Sequence, residues 1–195
     1  MTATPPAGDS ATRASIDRRV RDLLGRMTIE EKASLMLHDS PGAPRVGIPA
    51  YNWWNECLHG VGRAGRATVF PQPILTAATF DPDLVRRLGE VISLEARAKH
   101  HAALRENQRG RYFGLTFWTP NINIFRDPRW GRGHETYGED PFLAGELGVA
   151  MVRGLQGSNP RFYRVAVCVK HFAVHSGPEH LRHEFDARVS PKDME

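Results

Sequence analysis

The chain of 195 residues is short of three things. It has only two cysteines, Cys57 and Cys168, and two thiols cannot build a disulfide framework. It has no run of about 18 apolar residues, the length a membrane-spanning helix needs, so a transmembrane helix is excluded. It is also poor in lysine. Of 26 basic side chains, only Lys32, Lys99, Lys170 and Lys192 are not arginine, so a lysine in an apolar setting stands out. Residues 1–12 are polar and rich in proline and alanine, and they lack the apolar centre of a secretory signal. With the cysteine count, this points to a reducing, cytoplasmic setting.

What is present is ordinary for a globular protein: 41% hydrophobic and 25% charged residues. A chain of this length buries about 70% of its unfolded surface and fits one domain or part of a larger one. The net charge is +4 and the basic residues are dispersed. The densest cluster, Arg18, Arg19 and Arg21, falls on an amphipathic segment and reads as a solvated surface. A nucleic-acid binder shows a concentrated basic face, so no nucleic-acid partner is expected.

Residues 1–14 read as a disordered tail and 15–195 as one continuous region. A helix follows the tail, with Ile16, Val20, Leu23, Leu24 and Met27 on one face. Thr28 and Glu31 have the spacing of a capping box, which starts a second helix carrying Ile29, Ala33, Leu35 and Leu37. Residues 40–49 read as a loop. Asp81-Pro82 and Asp140-Pro141 each combine an N-cap with a proline at the first helical position. The first of these helices runs to about Leu104, and Gly157 stops the second. Leu115 to Trp118 is a short strand. Val165 to Val169 is a continuous apolar run, which predicts a parallel strand buried on both faces. Ser190-Pro191 opens a further helix within its first turn of Glu195, so more polypeptide is expected after it. Strands alternating with helices predict an α/β fold with parallel strands.

Four clusters carry chemistry. Tyr51 to Gly60 packs two tryptophans, Glu56 and His59 into ten residues, a mixture suited to sugars: rings stack on C–H faces and carboxylates fork to hydroxyls. Gly60 to Gly65 matches G-x-G-x-x-G, but no strand precedes it and no helix follows, so it reads as a loop. Trp118 to Asp140 places three arginines and several carboxylates after a strand. Internal pairing of Arg126 with Asp127 or Glu135 is the bland explanation there. Lys170-His171 lies at the end of a parallel strand, where α/β barrels place active-site groups. His171, His175, His180 and His183 raise the question of a metal. Gly177-Pro178 breaks any helix carrying His175 and no H-E-x-x-H occurs, so hydrogen-bonded loop histidines are expected and no metal.

Taken together, the segments RVRDLLGRMTIEEK (19–32), GIPAYNWWNECLHGV (47–61), TPNINIFRDPRWGRGHETYGEDP (119–141) and KHFAVHSGPE (170–179) resemble the N-terminal catalytic domain of glycoside hydrolase family 3, in its β-xylosidase-like branch. The resemblance implies roughly the first half of a (β/α)8 TIM-type barrel. It implies an exo-acting, retaining β-glycosidase that releases sugars from the non-reducing ends of oligosaccharides, using two carboxylates about 5 Å apart. The family's nucleophilic aspartate and acid/base glutamate have no match here and are expected beyond Glu195, so the chain alone is expected to be inactive. Glu135, Glu139 and Asp140 take loop-structuring roles. By motif match, Glu56, Trp118, Arg132, Lys170 and His171 bind the sugar, with Trp118 as the aromatic wall. No metal and no organic cofactor are implied. Two other readings remain: a sugar-binding module or decayed remnant without catalysis, and a nucleotide-binding enzyme built on Gly60 to Gly65.

Overall fold

The structure, a computed structural model, describes residues 10–159 and 161–194. Helix α1, Ser10–Arg26, begins inside the stretch expected as a tail; residues 1–9 lie outside the described residues. Its apolar stripe is largely uncovered, with Ile16, Val20 and Leu24 exposed. Only its end is anchored, where Leu23 and Met27 pack on Ala43 and Val46. Helix α2, Ile29–Ser34, carries the expected capping box. Glu31 N donates to Thr28 Oγ1 at 3.2 Å, and Thr28 N donates to Glu31 Oε2 at 2.9 Å. The two-residue strands β1, Asp39–Ser40, and β2, Tyr51–Asn52, then pair antiparallel. A 3-10 turn at Pro44–Val46 fills the loop between them.

After the short helix α3, Pro73–Ala77, come the two helices that carry the core. Helix α4 is Pro82–Arg105 and helix α5 is Pro141–Gln156. Both start as expected, because Asp81 Oδ1 accepts from Leu84 N at 2.9 Å and Asp140 Oδ1 from Leu143 N at 2.6 Å. Val85, Ile92 and Ala96 of α4 share one core with Leu147, Met151 and Leu155 of α5. The helices touch backbone to backbone at Gly89 and Gly154. A Cβ on Gly89 would lie 2.9 Å from Met151 O, and one on Gly154 would collide with Arg86 O.

Strand β3, Thr116–Phe117, α5 and strand β4, Ala166–Val167, form a strand–helix–strand unit with the strands parallel. Hydrogen bonding continues past both strands. Cys168 N donates to Phe117 O, Lys170 N to Pro120 O and Ile122 N to Lys170 O. The ladder thus ends on Lys170, paired with Asn121. The expectation of a strand buried on both faces is corrected. Val165 is buried in the core and Val167 packs against it, but Ala166 and Cys168, on the opposite side, are exposed. Successive side chains face opposite sides of a strand, and only one side here is covered by helices. On the other edge of β3 lies the segment after β2. Trp118 N donates to Asn55 O at 2.9 Å. The fully buried Asn55 side chain accepts from Gly114 N at 2.8 Å and donates to Thr116 O at 2.9 Å. Helix α6, Pro191–Met194, opens where Ser190-Pro191 predicts. No described helix is long and apolar enough to cross a membrane.

Candidate functional site

Three chain segments meet beyond the ends of β3 and β4. Asn55 pins the first to β3 and sets the neighbouring Glu56 at the ends of the strands. The β3–β4 ladder delivers Lys170, only 9% exposed. Its Nζ donates to Glu56 Oε2 at 2.7 Å. A buried ammonium without a partner is costly, so this pair is what lets Lys170 occupy the interior. The third segment is the turn after Trp130. Arg132 grips Glu135 with two parallel hydrogen bonds, Nε to Oε1 at 2.9 Å and Nη2 to Oε2 at 2.6 Å. Its Nη1 lies 3.2 Å from His171 Nε2.

A cavity of about 370 Å³ opens over these groups, lined by Trp54, Glu56, His59, Arg132, Glu135 and Lys170 among others. Its rim is the loop after Glu56, tied to α4. Thr68 donates to the Glu95 carboxylate through N and Oγ1, and Lys99 donates to the carbonyls of Ala64 and Arg66. Gly60 sits in this rim at φ +135°, where a Cβ would collide with Thr68 O. The G-x-G-x-x-G stretch is therefore a clamped loop. The next helix after it is α3, so the strand–turn–helix geometry of a dinucleotide fingerprint is absent from this segment.

Burial would raise the Glu135 carboxyl, but the Arg132 hydrogen bonds and the charges of Arg132, Lys170 and His134 hold it below its ordinary range. Burial also lowers His171, and the cations Arg132 and Lys170 and the neighbouring His175 add to this, bringing it to about 4. The His171 ring is thus neutral at pH 7. Burial pushes the Cys57 thiol up, which makes it a core residue and not a nucleophile.

The structure brings Glu56, Arg132 and Lys170 around one cavity. His171 joins them through Arg132 but faces a neighbouring cavity of about 340 Å³, with Trp130, His175 and Arg182. Trp118 does not line the first cavity. It stacks on Trp54, ring centroids 5.2 Å apart, and Trp54 is the ring at the cavity wall. Sequence reasoning placed Trp54 in the right cluster but gave it no role. The bland pairing of Arg126 is corrected as well: Arg126 Nη2 donates to Ser176 Oγ. Asp127 is taken by Arg129, whose two guanidinium hydrogen bonds of 2.9 and 2.8 Å, with a third from its backbone N–H at 2.9 Å, hold the carboxyl at about 2. His171 and His175 meet edge-on at 4.7 Å, and His180 and His183 are exposed. Among the described residues no three His, Cys, Asp or Glu side chains converge as a metal site would require.

The wall therefore alternates acceptors and donors: a carboxylate, an ammonium, a guanidinium and a second carboxylate, beside an indole. A hydroxyl both donates and accepts, so this array fits a polyhydroxylated, uncharged ring.

Comparison with known proteins points the same way. Residues 24–192 match the model of the glycosyl hydrolase family 3 N-terminal domain. A xylan 1,4-β-xylosidase of Xylanibacter ruminicola is 48% identical over 92% of this chain and 21% of its own length. A probable β-D-xylosidase of Arabidopsis thaliana is 46% identical over 92% of this chain and 25% of its own length. Among solved structures, a family 3 exo-β-xylosidase in complex with a xylobiose aziridine probe superposes with a TM-score of 0.73, at 33% identity, over 85% of this chain and 22% of its own. A β-glucosidase of Thermotoga neapolitana in complex with α-D-glucose gives 0.63 at 26% identity, over 80% of this chain and 23% of its own. The chain thus spans about a fifth to a quarter of the relatives it matches. The strand–helix–strand unit is part of a TIM-barrel-type fold, present here as an incomplete barrel.

Proposed function

The chain belongs to glycosyl hydrolase family 3, and from that premise we propose that it is the sugar-holding part of a retaining, exo-acting β-glycosidase that acts on β-xylosides or closely related β-glycosides. One observation carries the reading: the nearly buried Lys170, paired with Glu56 and set beside Arg132 in the wall of a cavity next to Trp54. Glu56 accepts from sugar hydroxyls, and Lys170 and Arg132 donate to them. Trp54, backed by Trp118, offers the apolar wall. His171 steadies Arg132. Fixed donors and acceptors of this kind hold the ring in place and favour the transition state as charge develops at its anomeric carbon.

The two catalytic carboxylates are supplied by polypeptide outside these residues. Within the site Glu56 is engaged by Lys170 and Glu135 by Arg132. An ionised, arginine-bound Glu135 is a poor general acid. The two unpaired cysteines, one buried and one exposed, support a reducing, cytoplasmic location.

The test is turnover of an aryl β-xyloside. The 195-residue chain is expected to give none, and release of the aryl alcohol above the buffer rate overturns the division of labour. In the protein that carries the catalytic carboxylates, Lys170→Ala is expected to lower kcat/KM by about 100-fold, the typical loss of one preorganised donor. An unchanged value overturns the role of Lys170.

A further inference from the structure

One side chain holds His171 from both its backbone and its ring. Asn123 Oδ1 lies 2.9 Å from His171 N and 2.8 Å from His171 Nδ1, and Asn123 Nδ2 lies 3.2 Å from His171 O. A backbone N–H only donates and a backbone carbonyl only accepts. These two contacts fix which end of the amide is oxygen, with no appeal to the ring. The oxygen therefore faces Nδ1, and an acceptor at 2.8 Å requires a proton on that nitrogen. At the far side of the ring Nε2 faces Arg132 Nη1 at 3.2 Å. A guanidinium has no lone pair to offer, so Nε2 must be bare. The two ends of the ring agree on one neutral tautomer. Asn123 is buried and is itself held, since its N–H donates to Oδ1 of the fully buried Asn121 at 3.1 Å.

We infer that Asn123 is a positioning residue that acts through His171: it locks the ring as the Nδ1–H tautomer, so that the Nε2 lone pair receives Arg132 and aims the guanidinium along the cavity wall. Arg132 is thereby fixed from two sides, by the Glu135 carboxylate and by the imidazole. A free side chain would choose among rotamers, and this one is held before any ligand arrives. The consequence for a bound sugar rests on the reading of Arg132 as a ligand; the tautomer does not.

The groups facing the ring define the control. Arg132 and Lys170 are cationic, His175 packs edge-on against it, and Glu135 is the facing carboxylate. Asn123→Asp keeps an acceptor against Nδ1 and adds a negative charge beside it, which favours the imidazolium.

The experiment is a long-range proton–nitrogen correlation spectrum of the protein labelled with 15N-histidine, with His171 identified by its loss in His171→Gln. The wild-type ring is expected to show a protonated Nδ1 and a bare Nε2. A protonated Nε2 overturns the proposal. In Asn123→Ala the ring is expected to become a mixture of tautomers, and a pure Nδ1–H ring there removes Asn123 from the role. Should that variant not fold, Asn123→Asp decides: its His171 titration is expected to move up by more than one pH unit, and an unmoved midpoint overturns the proposal. Xylose titration of Arg132→Gln separates the two readings. Undiminished affinity removes Arg132 as a ligand, and with it the effect of Asn123 on substrate, and leaves the tautomer result standing.

Discussion

Lys170 and Glu56 lie 114 positions apart in the chain and 2.7 Å apart in space. Removing the charge of one partner leaves the other stranded. A fully buried pair loses about 3–5 kcal/mol in this way, but Glu56 retains 28% exposure. We expect Glu56→Gln to cost roughly 1–3 kcal/mol in urea unfolding. Lys170→Met with Glu56→Leu should recover most of that loss, and a double variant no more stable than the single one would mean the pair is not the cause. His171 makes a prediction about pH. Its folded ring protonates at about 4, against an ordinary value of 6.5. Between those values the unfolded chain binds a proton that the folded one refuses, so stability falls as pH falls through this window. Melting temperatures from pH 7 to 4 should show that decline, and His171→Gln should make it shallower, leaving the share of His175 and Glu135, which are lowered too; an equal slope in the variant removes His171 as a source.

Helices α4 and α5 show how a local rule can change sign in context. Alanine in place of glycine inside a helix normally gains about 1 kcal/mol. At Gly154 the added methyl meets the carbonyl of Arg86, which is rigid backbone. The clash outweighs the propensity, so Gly154→Ala is expected to destabilise by about 1–3 kcal/mol. Gly145 has open space around it, and Gly145→Ala should be neutral or stabilising. Equal effects at the two sites in thermal melts would rule out the close crossing. Features of this kind also mark where the sequence is silent. The starts of α4 and α5 were legible because Asp81 and Asp140 bond their own helices three residues on. The capping box of Thr28 was legible for the same reason. Asn55 and Asn123 were not, because a buried asparagine has no periodicity and its partners lie tens of residues away. Trp118 was legible from its motif and Trp54 only as one of two adjacent tryptophans; that Trp54 is the ring at the cavity wall depends on how Asn55 pins its segment to β3. Cluster membership of Glu56, Arg132 and Lys170 could be read from the motifs they sit in; the distances between them could not.

At the scale of the whole molecule, the strand layer is covered on one side by α4 and α5 and bare on the other. Ala166 and Cys168 on that side are exposed, and just past the end of β4 Phe172 is completely so. Apolar groups gathered on one side bind apolar dyes. Fluorescence of 8-anilinonaphthalene-1-sulfonate should therefore rise with the 195-residue chain and fall in Phe172→Ser; no rise with the wild type would mean that this side is covered in solution. The parallel ladder that ends on Lys170 also determines where the chain tolerates changes in length. Residues 157–159 lie in the connection between α5 and β4, where Ser158 and Asn159 are exposed, and an insertion after Ser158 only lengthens that connection. Between Val165 and Lys170 the pairing with β3 counts residues in steps of two. One residue inserted after Cys168 presents Val169 where Lys170 stood and turns every later side chain to the opposite side. The site thus tolerates drift in the connection before Val165 and none from there to Lys170, so length variants of this protein should accumulate in that connection and be missing from the five positions after the valine.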